Sequence, residues 1–503
     1  MNKPLKGDGN GNGHGVQNVI RELAKKTAKI QAVASPSTVK ENQVTFLTAE
    51  GVELHGALTR LTRNAVFFEL YNPDAAPRFS ETLEEFKIIL QEQIVYSGRA
   101  TVRNVLDAGT KIVCETTLRE SDWTDLDPGT VLQRDGELAK EFKSFLNNWQ
   151  KLYRVSPEFK VAVADLQTFL HDLRLWLEQV ELSVQAQPKS KQDEAERQIL
   201  QVLLESLLPT LASLFEKFEK LISKIENDPG LSHSLYAKRL LHPLVLSAPF
   251  MRRTFEKPLG YAGDYEMVNM MTCDPFQGGS IFAKILNTFF LNTPPVVAHR
   301  NRIDSLTQQL HLEVSRTAMK GRTAKVFNLG CGPALEIQRF LAKSSLRDNA
   351  AFTLLDFNDE TVAYTGRILN QIKEQHNCRS IISIIKKSVA QLLKNNSQFA
   401  RDSYDFVYCA GLFDYLPDIT CKQLVDLFYE LTAPGGLVLV TNVHVNNPSR
   451  GWMECMVDWH LVYRDAEQMN AILPRHVPKK LTRIFVEPIG VNIFAEIRKP
   501  ENA

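Results

Sequence analysis

A glycine-rich turn carries the clearest chemical signal in the sequence. Residues 326–329 are apolar apart from Asn328 and predict a strand, Gly330 and Gly332 follow it, and a helix is predicted to begin at Ala334. Glycines let a ligand approach the backbone closely, and the start of a helix presents unpaired N–H groups. Leu335 stands where a dinucleotide fingerprint has its third glycine, which disfavours NAD. A tight strand-to-helix turn without a ligand is the structural alternative.

An acidic residue follows at the end of the next predicted strand. Asp356 ends the apolar run of residues 352–356. A carboxylate in this position can accept hydrogen bonds from both hydroxyls of a ribose. Together with the glycine turn, Asp356 predicts a nucleoside-containing cofactor at the ends of parallel strands.

Four motifs in chain order resemble those of class I S-adenosylmethionine-dependent methyltransferases, over about residues 300–500. They are the glycine turn, Asp356, the predicted strand 404–410, and the turn 431–436, which is similar to the family's L-x-P-G-G segment. The resemblance implies an α/β Rossmann-like methyltransferase domain with S-adenosyl-L-methionine as its cofactor. The alternation of predicted strands and helices from residue 325 onward also favours a doubly wound parallel sheet.

The resemblance further implies which residues contact the cofactor. By position in the family's pattern they lie at the ends of the first four strands: Asn328, Gly330, Cys331, Gly332, Asp356, Phe357, Ser388, Val389, Ala410, Gly411 and Phe413. Two positions depart from the pattern, because Asn328 replaces the usual acidic residue and Ala334 replaces the usual third glycine. The ribose contact therefore matches the family fully, whereas the contacts to the methionine part match it only in part.

A second unusual segment, residues 255–270, precedes this domain. Its phrase PLGYAGDYE, together with NLGCGPA in the glycine turn, resembles bacterial methyltransferases that make the methyl ester of 3-hydroxypalmitic acid, an extracellular signal, over about residues 235–500. An aromatic, acidic loop at a sheet edge suits a substrate lid, so we expect residues 260–266 to cover the acceptor. The alternative is a capped turn in which Asp264 caps a helix that begins at Tyr265.

Six residues are predicted to position the methyl acceptor. They lie in this loop or after the fifth predicted strand: Tyr261, Asp264, Glu266, His444, Trp459 and Arg464. Arg464 is the candidate cation for a carboxylate. A carboxylate is ionised at neutral pH and needs no general base, so we assign proton transfer to none of the six. For the histidine and the tryptophan, a place in the core is the alternative.

The resemblance implies O-methylation of the carboxylate of a hydroxy fatty acid, which would make a signal methyl ester. Two alternatives stay open. One is a methyltransferase acting on an amine or phenol of a natural product, because Asp264 and Glu266 suit a cationic amine. The other is a non-catalytic regulatory or scaffold protein, against which the intact Gly330, Gly332 and Asp356 argue.

The N-terminal part predicts two different segments. Residues 1–40 predict a disordered tail and a short helix, because glycine and asparagine dominate the first fifteen positions. Residues 41–130 alternate β-branched and aromatic runs with turns, which predicts a small β-barrel that weakly resembles PilZ domains. The paired arginines through which PilZ domains bind cyclic di-GMP are missing, so we expect no such binding. Its dispersed arginines 60, 63, 99 and 103 are expected on a solvated face.

A helical bundle is predicted between the barrel and the catalytic domain, over residues 135–230. Apolar residues at heptad spacing form three stripes, at 138–152, 159–180 and 200–225. Pro209 is expected to kink the third helix and the segment NDPG at 227–230 to end it. The seam is either intramolecular or the interface of a homodimer. A helical lid or substrate segment over 231–300 and the methyltransferase domain over 301–503 complete the predicted order.

Composition bounds the partners and the location. With 59 Lys and Arg against 58 Asp and Glu the formal charge is +1, so no global field recruits nucleic acid. The seven cysteines are scattered without a C-x-x-C pair, which predicts neither a disulfide framework nor a zinc site. No apolar run is long enough for a transmembrane segment. We therefore expect a cytoplasmic protein that holds no metal, and the resemblance implies a small acyl or fatty acid acceptor.

Overall fold

The structure is a computed structural model that describes residues 42–47, 53–70, 77, 80–90, 93–107, 112–124, 142–143, 146–147, 154–225 and 227–501. The predicted tail over 1–40 lies outside these residues, as does most of the first predicted helical stripe. The chain divides into two compact units, one that holds the N-terminal strands and one that holds the helices and strands from Pro157 onward.

Six antiparallel strands form the first unit and close a barrel in the order β1-β2-β3-β6-β5-β4. They are β1 (Gln43–Leu47), β2 (Glu53–Leu61), β3 (Ala65–Leu70), β4 (Thr82–Leu90), β5 (Gln93–Asp107) and β6 (Ile112–Leu118). Alternate side chains point inward, and Phe46, Phe68 and Phe86 pack at the centre with ring centroids 5.6, 5.8 and 5.9 Å apart. The predicted small β-barrel is confirmed.

The arginines of the barrel lie on its outer surface. Arg99 forms an ion pair with Glu84 at 2.7 Å, and Arg103 lies 3.8 Å from Glu115. Both arginine side chains are exposed, as the interpretation of a solvated face expects. The absence of cyclic di-GMP binding stays a prediction.

Two long helices, α1 (Pro157–Gln185) and α2 (Lys189–Ile222), carry the second and third predicted stripes. Ser156 begins α1 by accepting a hydrogen bond from the backbone N–H of Phe159 at 3.3 Å. The short linker 186–188 makes the two helices antiparallel neighbours, and their apolar stripes share one core. Helix α2 continues as one element through Pro209. A homodimer through this bundle stays a prediction.

The segment NDPG at 227–230 corrects one helix boundary. The sequence predicts that it ends the third helix, but α2 ends at Ile222 and the segment begins α3 (Asn227–Val245). Asn, Asp and Pro are favourable in the first turn of a helix as well as after the last one.

Within the described ranges, one helix, α2, is long enough and apolar enough to cross a membrane, judged by length and composition alone.

Four helices lead from the bundle to the sheet: α4 (Pro249–Glu256), α5 (Tyr265–Met270), α6 (Ile281–Leu291) and α7 (Pro294–Ala318). Helix α6 is buried at nearly every position, because it packs against both long helices and α4 inside one apolar core. The proline-punctuated helical segment predicted before residue 300 is therefore packed together with the bundle.

A seven-stranded sheet follows, in the order β12-β13-β11-β10-β7-β8-β9. Its strands are β7 (Ala324–Leu329), β8 (Ala350–Asp356), β9 (Ile381–Lys386), β10 (Tyr404–Cys409), β11 (Thr432–Val443), β12 (Thr482–Val486) and β13 (Asn492–Arg498). The first five are parallel, whereas β13 runs antiparallel to β11 and β12. The helices between them are α8 (Leu335–Lys343), α9 (Asp359–His376), α10 (Val389–Lys394), α11 (Asp418–Leu431), α12 (Arg450–Val457) and α13 (Ala466–Ala471).

Separate apolar clusters cover the two faces of this sheet, which confirms the predicted doubly wound arrangement from residue 325 onward. The pair β12 and β13 has no counterpart in the sequence prediction. The chain order reverses between β7 and β10, which are neighbours in the sheet. In open α/β sheets, ligands bind at the carboxyl ends of the strands at such a reversal.

Candidate functional site

The glycine turn lies at this reversal, directly after β7. Gly330 and Gly332 have φ of 71° and 50°, which glycine adopts without strain. The N–H groups of Gly330 and Cys331 donate to the carbonyl oxygen of Leu355 at 2.8 and 3.1 Å, so the turn is fixed to β8. A Cβ at Gly332 would meet no atom within 4 Å. The turn therefore borders open space in which a ligand fits.

Asp356 ties the end of β8 to the same turn. Its Oδ2 accepts from the N–H of Gly332 at 3.1 Å and its Oδ1 from the N–H of Asn358 at 3.1 Å. Burial raises the pKa of the Asp356 carboxyl, and these backbone hydrogen bonds act in the opposite direction. Each carboxylate oxygen keeps a further lone pair, so the side chain can still accept from hydroxyl groups of a ligand.

A buried acid that the sequence analysis missed lies beneath the turn. Glu336, in the first turn of α8, accepts from the hydroxyl of Tyr408 at 2.6 Å and from Nδ2 of Asn328 at 3.3 Å. Burial raises the pKa of Glu336. Oδ1 of Asn328 is buried and has no hydrogen-bond partner among the described residues. A carboxyl group is thus present next to the position where the family usually has its acid.

A buried cation was also missed. Arg302 of α7 donates through Nη2 to Nδ1 of His299 at 2.9 Å and lies 4.0 Å from Asp414. Burial and the neighbouring guanidinium groups hold the pKa of His299 well below its usual range, so this imidazole is neutral. Burial raises the pKa of Asp414 to about 6, although Arg302 opposes the shift.

Arg302 faces the end of β10. A Cβ at Gly411, whose φ is 94°, would lie 3.0 Å from Nη2 of Arg302. The sequence pattern that could have indicated Arg302 is a charged residue within an apolar stripe. Ala298, Leu306 and Leu310 lie on the same face of α7 and are buried.

The loop before α5 is a capped turn. Asp264 accepts from the N–H of Met267 at 2.8 Å and from Nε of Arg253 at 3.0 Å, and it is 1% exposed. Its placement in the acceptor site is therefore wrong, because the first turn of α5 and an ion pair occupy its oxygens. Glu266 accepts from Nδ2 of Asn269 at 3.0 Å and is half-buried.

The same loop is docked at the carboxyl edge of the sheet. The hydroxyl of Tyr415 donates to the carbonyl oxygen of Ala262 at 2.9 Å and accepts from Nε1 of Trp459 at 2.9 Å. The ring of Tyr261 lies 5.2 Å from that of Phe357, which follows β8. The structure thus brings three predicted residues together at the strand ends: Tyr261, Phe357 and Trp459.

Arg464 corrects another prediction. It is 1% exposed, and its guanidinium donates to Asp418 at 2.7 and 2.9 Å, to Asn442 at 2.5 Å, and to the carbonyl oxygens of Phe413 and Leu416 at 2.8 and 2.7 Å. These bonds fix the segment after β10 to β11 and leave no free cation for an acceptor carboxylate. Arg464 is a structural residue.

His444 is held locally beside it. Its backbone N–H donates to the carbonyl oxygen of Val491 at 2.7 Å, and its Nδ1 accepts from the N–H of Asn446 at 3.3 Å. Among the described residues, the hydrogen bond that its side chain forms is to Asn446 and not to the loop at 257–264.

Five predicted cofactor residues contribute to packing or to helix capping. Phe413 is fully buried with its ring 6.5 Å from that of Phe428, and Cys331 is 6% exposed; both side chains belong to the core, and contact of these two residues with the cofactor stays a prediction. Ser388 forms a capping box with Gln391 at the start of α10. Val389 and Ala410 pack against the apolar clusters on the two faces of the sheet.

Comparisons with known proteins give matches only among solved structures. No protein-family profile and no curated protein matches the chain. A possible exported protein from Bordetella parapertussis is similar at 17% identity and a TM-score of 0.40, with 56% of this chain and 93% of that chain covered. The carbon methyltransferase CurJ has 12% identity and a TM-score of 0.32, with 60% and 71% covered. Magnesium protoporphyrin IX methyltransferase from Synechocystis PCC 6803 has 13% identity and a TM-score of 0.29, with 41% and 84% covered.

Proposed function

We propose that this chain is an S-adenosylmethionine-dependent methyltransferase. The observation that carries the proposal is Asp356, held against the N–H of Gly332 at the reversal of strand order, with open space beside that glycine. A nucleoside whose ribose hydroxyls donate to this carboxylate would lie along the turn. When bound, S-adenosylmethionine would supply a methyl group on a sulfonium sulfur, so that an acceptor attacks the methyl carbon, the carbon–sulfur bond breaks and a neutral thioether leaves.

The residues present fit the other parts of this cofactor. Phe357 is 49% exposed next to Asp356 and offers an apolar face for the adenine. Arg302 provides a buried guanidinium at Gly411, where the methionine carboxylate would be neutralised. The unpartnered Oδ1 of Asn328 is a buried acceptor at the turn. These groups bind and orient the cofactor and exclude water, which is most of what an in-line methyl transfer requires.

For the acceptor we propose the carboxylate of a hydroxy fatty acid. Five buried methionines lie on the helices beside the loop or directly after one of them, and methionine side chains adapt to an aliphatic chain: Met251, Met267, Met271, Met453 and Met456. Burial raises the pKa of Tyr261 and of Tyr265 to about 12, so both hydroxyls stay protonated at neutral pH. Such residues suit an acceptor that is already ionised and needs no base.

The alternatives have less support. A cationic amine would rely on Asp264 and Glu266, but the oxygens of Asp264 are bound to Arg253 and to the first turn of α5. A scaffold without turnover gives no reason for the contact between Asp356 and the glycine turn.

The test is calorimetric titration of the full chain with S-adenosylhomocysteine. Asp356→Ala should weaken binding by about 1–3 kcal/mol, since polar partners are left unpaired. The control is Asp359→Ala, which removes an exposed carboxylate from the same segment. Equal affinity of the folded Asp356→Ala protein and the parent would remove Asp356 from the site. Methyl transfer to hydroxy fatty acids is then compared with transfer to amines and phenols, and preference for an amine would overturn the proposed acceptor.

A further inference from the structure

The tip of the loop at 257–264 faces the residues that would hold the cofactor. Tyr261 is half-buried, with its ring 5.2 Å from Phe357. The pKa of its hydroxyl is raised mainly by burial, a hydrogen bond with Thr361 opposes the shift, and the nearby Asp356 carboxylate adds to it. Tyr261 therefore lies near Asp356, the ribose-binding candidate at the end of β8, and its ring contacts Phe357, which follows that strand.

The loop has glycines where its backbone turns. Gly260 and Gly263 have φ of 83° and 86°, and Lys257 reaches the left-handed region with φ of 49°. A Cβ at Gly260 would meet nothing within 4 Å, whereas one at Gly263 would lie 2.9 Å from the hydroxyl of Tyr415. The loop thus has open space around Gly260, whereas at Gly263 it packs closely against the side chain of Tyr415.

Two hydrogen bonds hold the loop at the sheet edge. The hydroxyl of Tyr415 donates to the carbonyl oxygen of Ala262, and Nζ of Lys257 donates to the carbonyl oxygen of Asp458 at 2.8 Å. Trp459, the next residue, donates to Tyr415. We call these contacts of Lys257, Ala262 and Tyr415 the latch.

We propose that Tyr261 is a cofactor-binding residue that covers the adenosyl end of the cofactor, and that the latch keeps it there. The inference rests on the proposed function and changes the predicted role of this loop, which becomes a cover for the cofactor instead of the acceptor. A nucleoside bound by Asp356 lies against the pair of rings that Tyr261 and Phe357 form. Cofactor exchange then requires the latch to open, so the cofactor enters before the loop closes.

The experiment measures S-adenosylhomocysteine dissociation from the full chain by stopped-flow displacement, with affinity from calorimetry. Tyr261→Ala should speed dissociation by about 5- to 100-fold, the range expected for loss of one aromatic contact with a base. Tyr261→Phe keeps the ring and should stay close to the parent. Tyr415→Phe removes the latch hydroxyl and should also speed dissociation. Tyr429→Ala is the control, because its ring contacts His476 and Lys499 and not the loop.

The outcomes separate this inference from the proposed function. A parent protein that does not bind S-adenosylhomocysteine overturns both. A parent that binds, with Tyr261→Ala within twofold of it in affinity and dissociation rate, overturns only the role of Tyr261. Phe357→Ala provides a second folded variant, since that side chain is half-exposed; faster dissociation there supports the pair of rings, and an unchanged rate contradicts it.

Discussion

Glu219 of the long helix α2 caps helix α12. Its carboxylate accepts from the backbone N–H of Gly451 at 2.6 Å and of Trp452 at 2.7 Å, more than 200 positions later in the chain. The residues that follow α12 are Asp458, which Nζ of Lys238 contacts at 2.6 Å, and Trp459, which donates to Tyr415. The helical bundle therefore helps to position the wall of the candidate site.

Glu219→Ala should destabilise the protein by about 1–3 kcal/mol, because two buried N–H groups lose their acceptor. Glu219→Gln keeps one acceptor oxygen and should cost less. The measurement is urea denaturation followed by tryptophan fluorescence. Glu216→Ala serves as control, since this exposed residue pairs with Lys220 alone among the described residues, and its loss should cost less than about 0.5 kcal/mol. Equal losses for the alanine variants at 216 and 219 would contradict the capping role.

Alanine at the two loop glycines should have unequal effects on the latch. Gly260→Ala and Gly263→Ala should each lose about 1–2 kcal/mol of stability, because alanine is strained in a left-handed backbone conformation. Only the Cβ at 263 meets the hydroxyl of Tyr415, at 2.9 Å. We therefore expect a lower melting temperature for both variants, with the larger loss for Gly263→Ala, and faster S-adenosylhomocysteine dissociation for Gly263→Ala alone. The same dissociation rate in both variants would show that the close contact at Gly263 has no part in holding the loop.

The stability of the protein should contain a pH-dependent contribution from His242. Burial lowers the pKa of His242 to about 4 from 6.5, while its Nε2 lies 2.8 Å from the carbonyl oxygen of Met456. Between pH 4 and pH 6.5, His242 is therefore protonated in the unfolded chain but neutral in the folded protein. The stabilising contribution of the neutral His242 is present above pH 6.5 and is lost as the pH falls toward 4. Between pH 7 and 5 the loss is about 2 kcal/mol.

His242→Gln keeps a hydrogen-bond donor and removes the titration. The free energy of unfolding, measured by urea at pH 7 and at pH 5, should fall less for this variant than for the parent. The difference between the two proteins isolates His242 from the buried carboxyl groups, whose raised pKa values act with the opposite sign. Parallel curves would rule out a neutral, buried His242.

Arg464→Lys should lower the free energy of unfolding. It should have no selective effect on the binding of the methyl acceptor. Lysine keeps the charge but cannot reproduce the planar fork that reaches Asp418, Asn442 and the carbonyl oxygens of Phe413 and Leu416. We expect a loss of about 2–4 kcal/mol in urea denaturation. An unchanged stability with a raised KM for a carboxylate acceptor would restore Arg464 to the acceptor site.

The sequence by itself determined the elements whose signals are local. Strand and helix periodicity set the β-barrel, the long helices and the five parallel strands, and the glycine turn with Asp356 marked the strand ends where we propose that a nucleoside binds. These predictions succeed because residues close in the chain carry backbone conformation, capping and face alternation. The cap formed by Asp264 was visible for the same reason, since it spans only one turn of helix.

Only the tertiary structure decided which charged residues face the site. Arg464 follows a predicted strand and Arg302 lies in a helix. Both are buried, but the first is bound to Asp418 and Asn442, whereas the second is bound to His299, lies near Asp414 and faces Gly411. The position of Tyr261 opposite Phe357 likewise depends on a latch formed by residues about 150 to 200 positions away. Such choices follow from the packing of distant elements and from the desolvation of each charge, which no local pattern in the chain encodes.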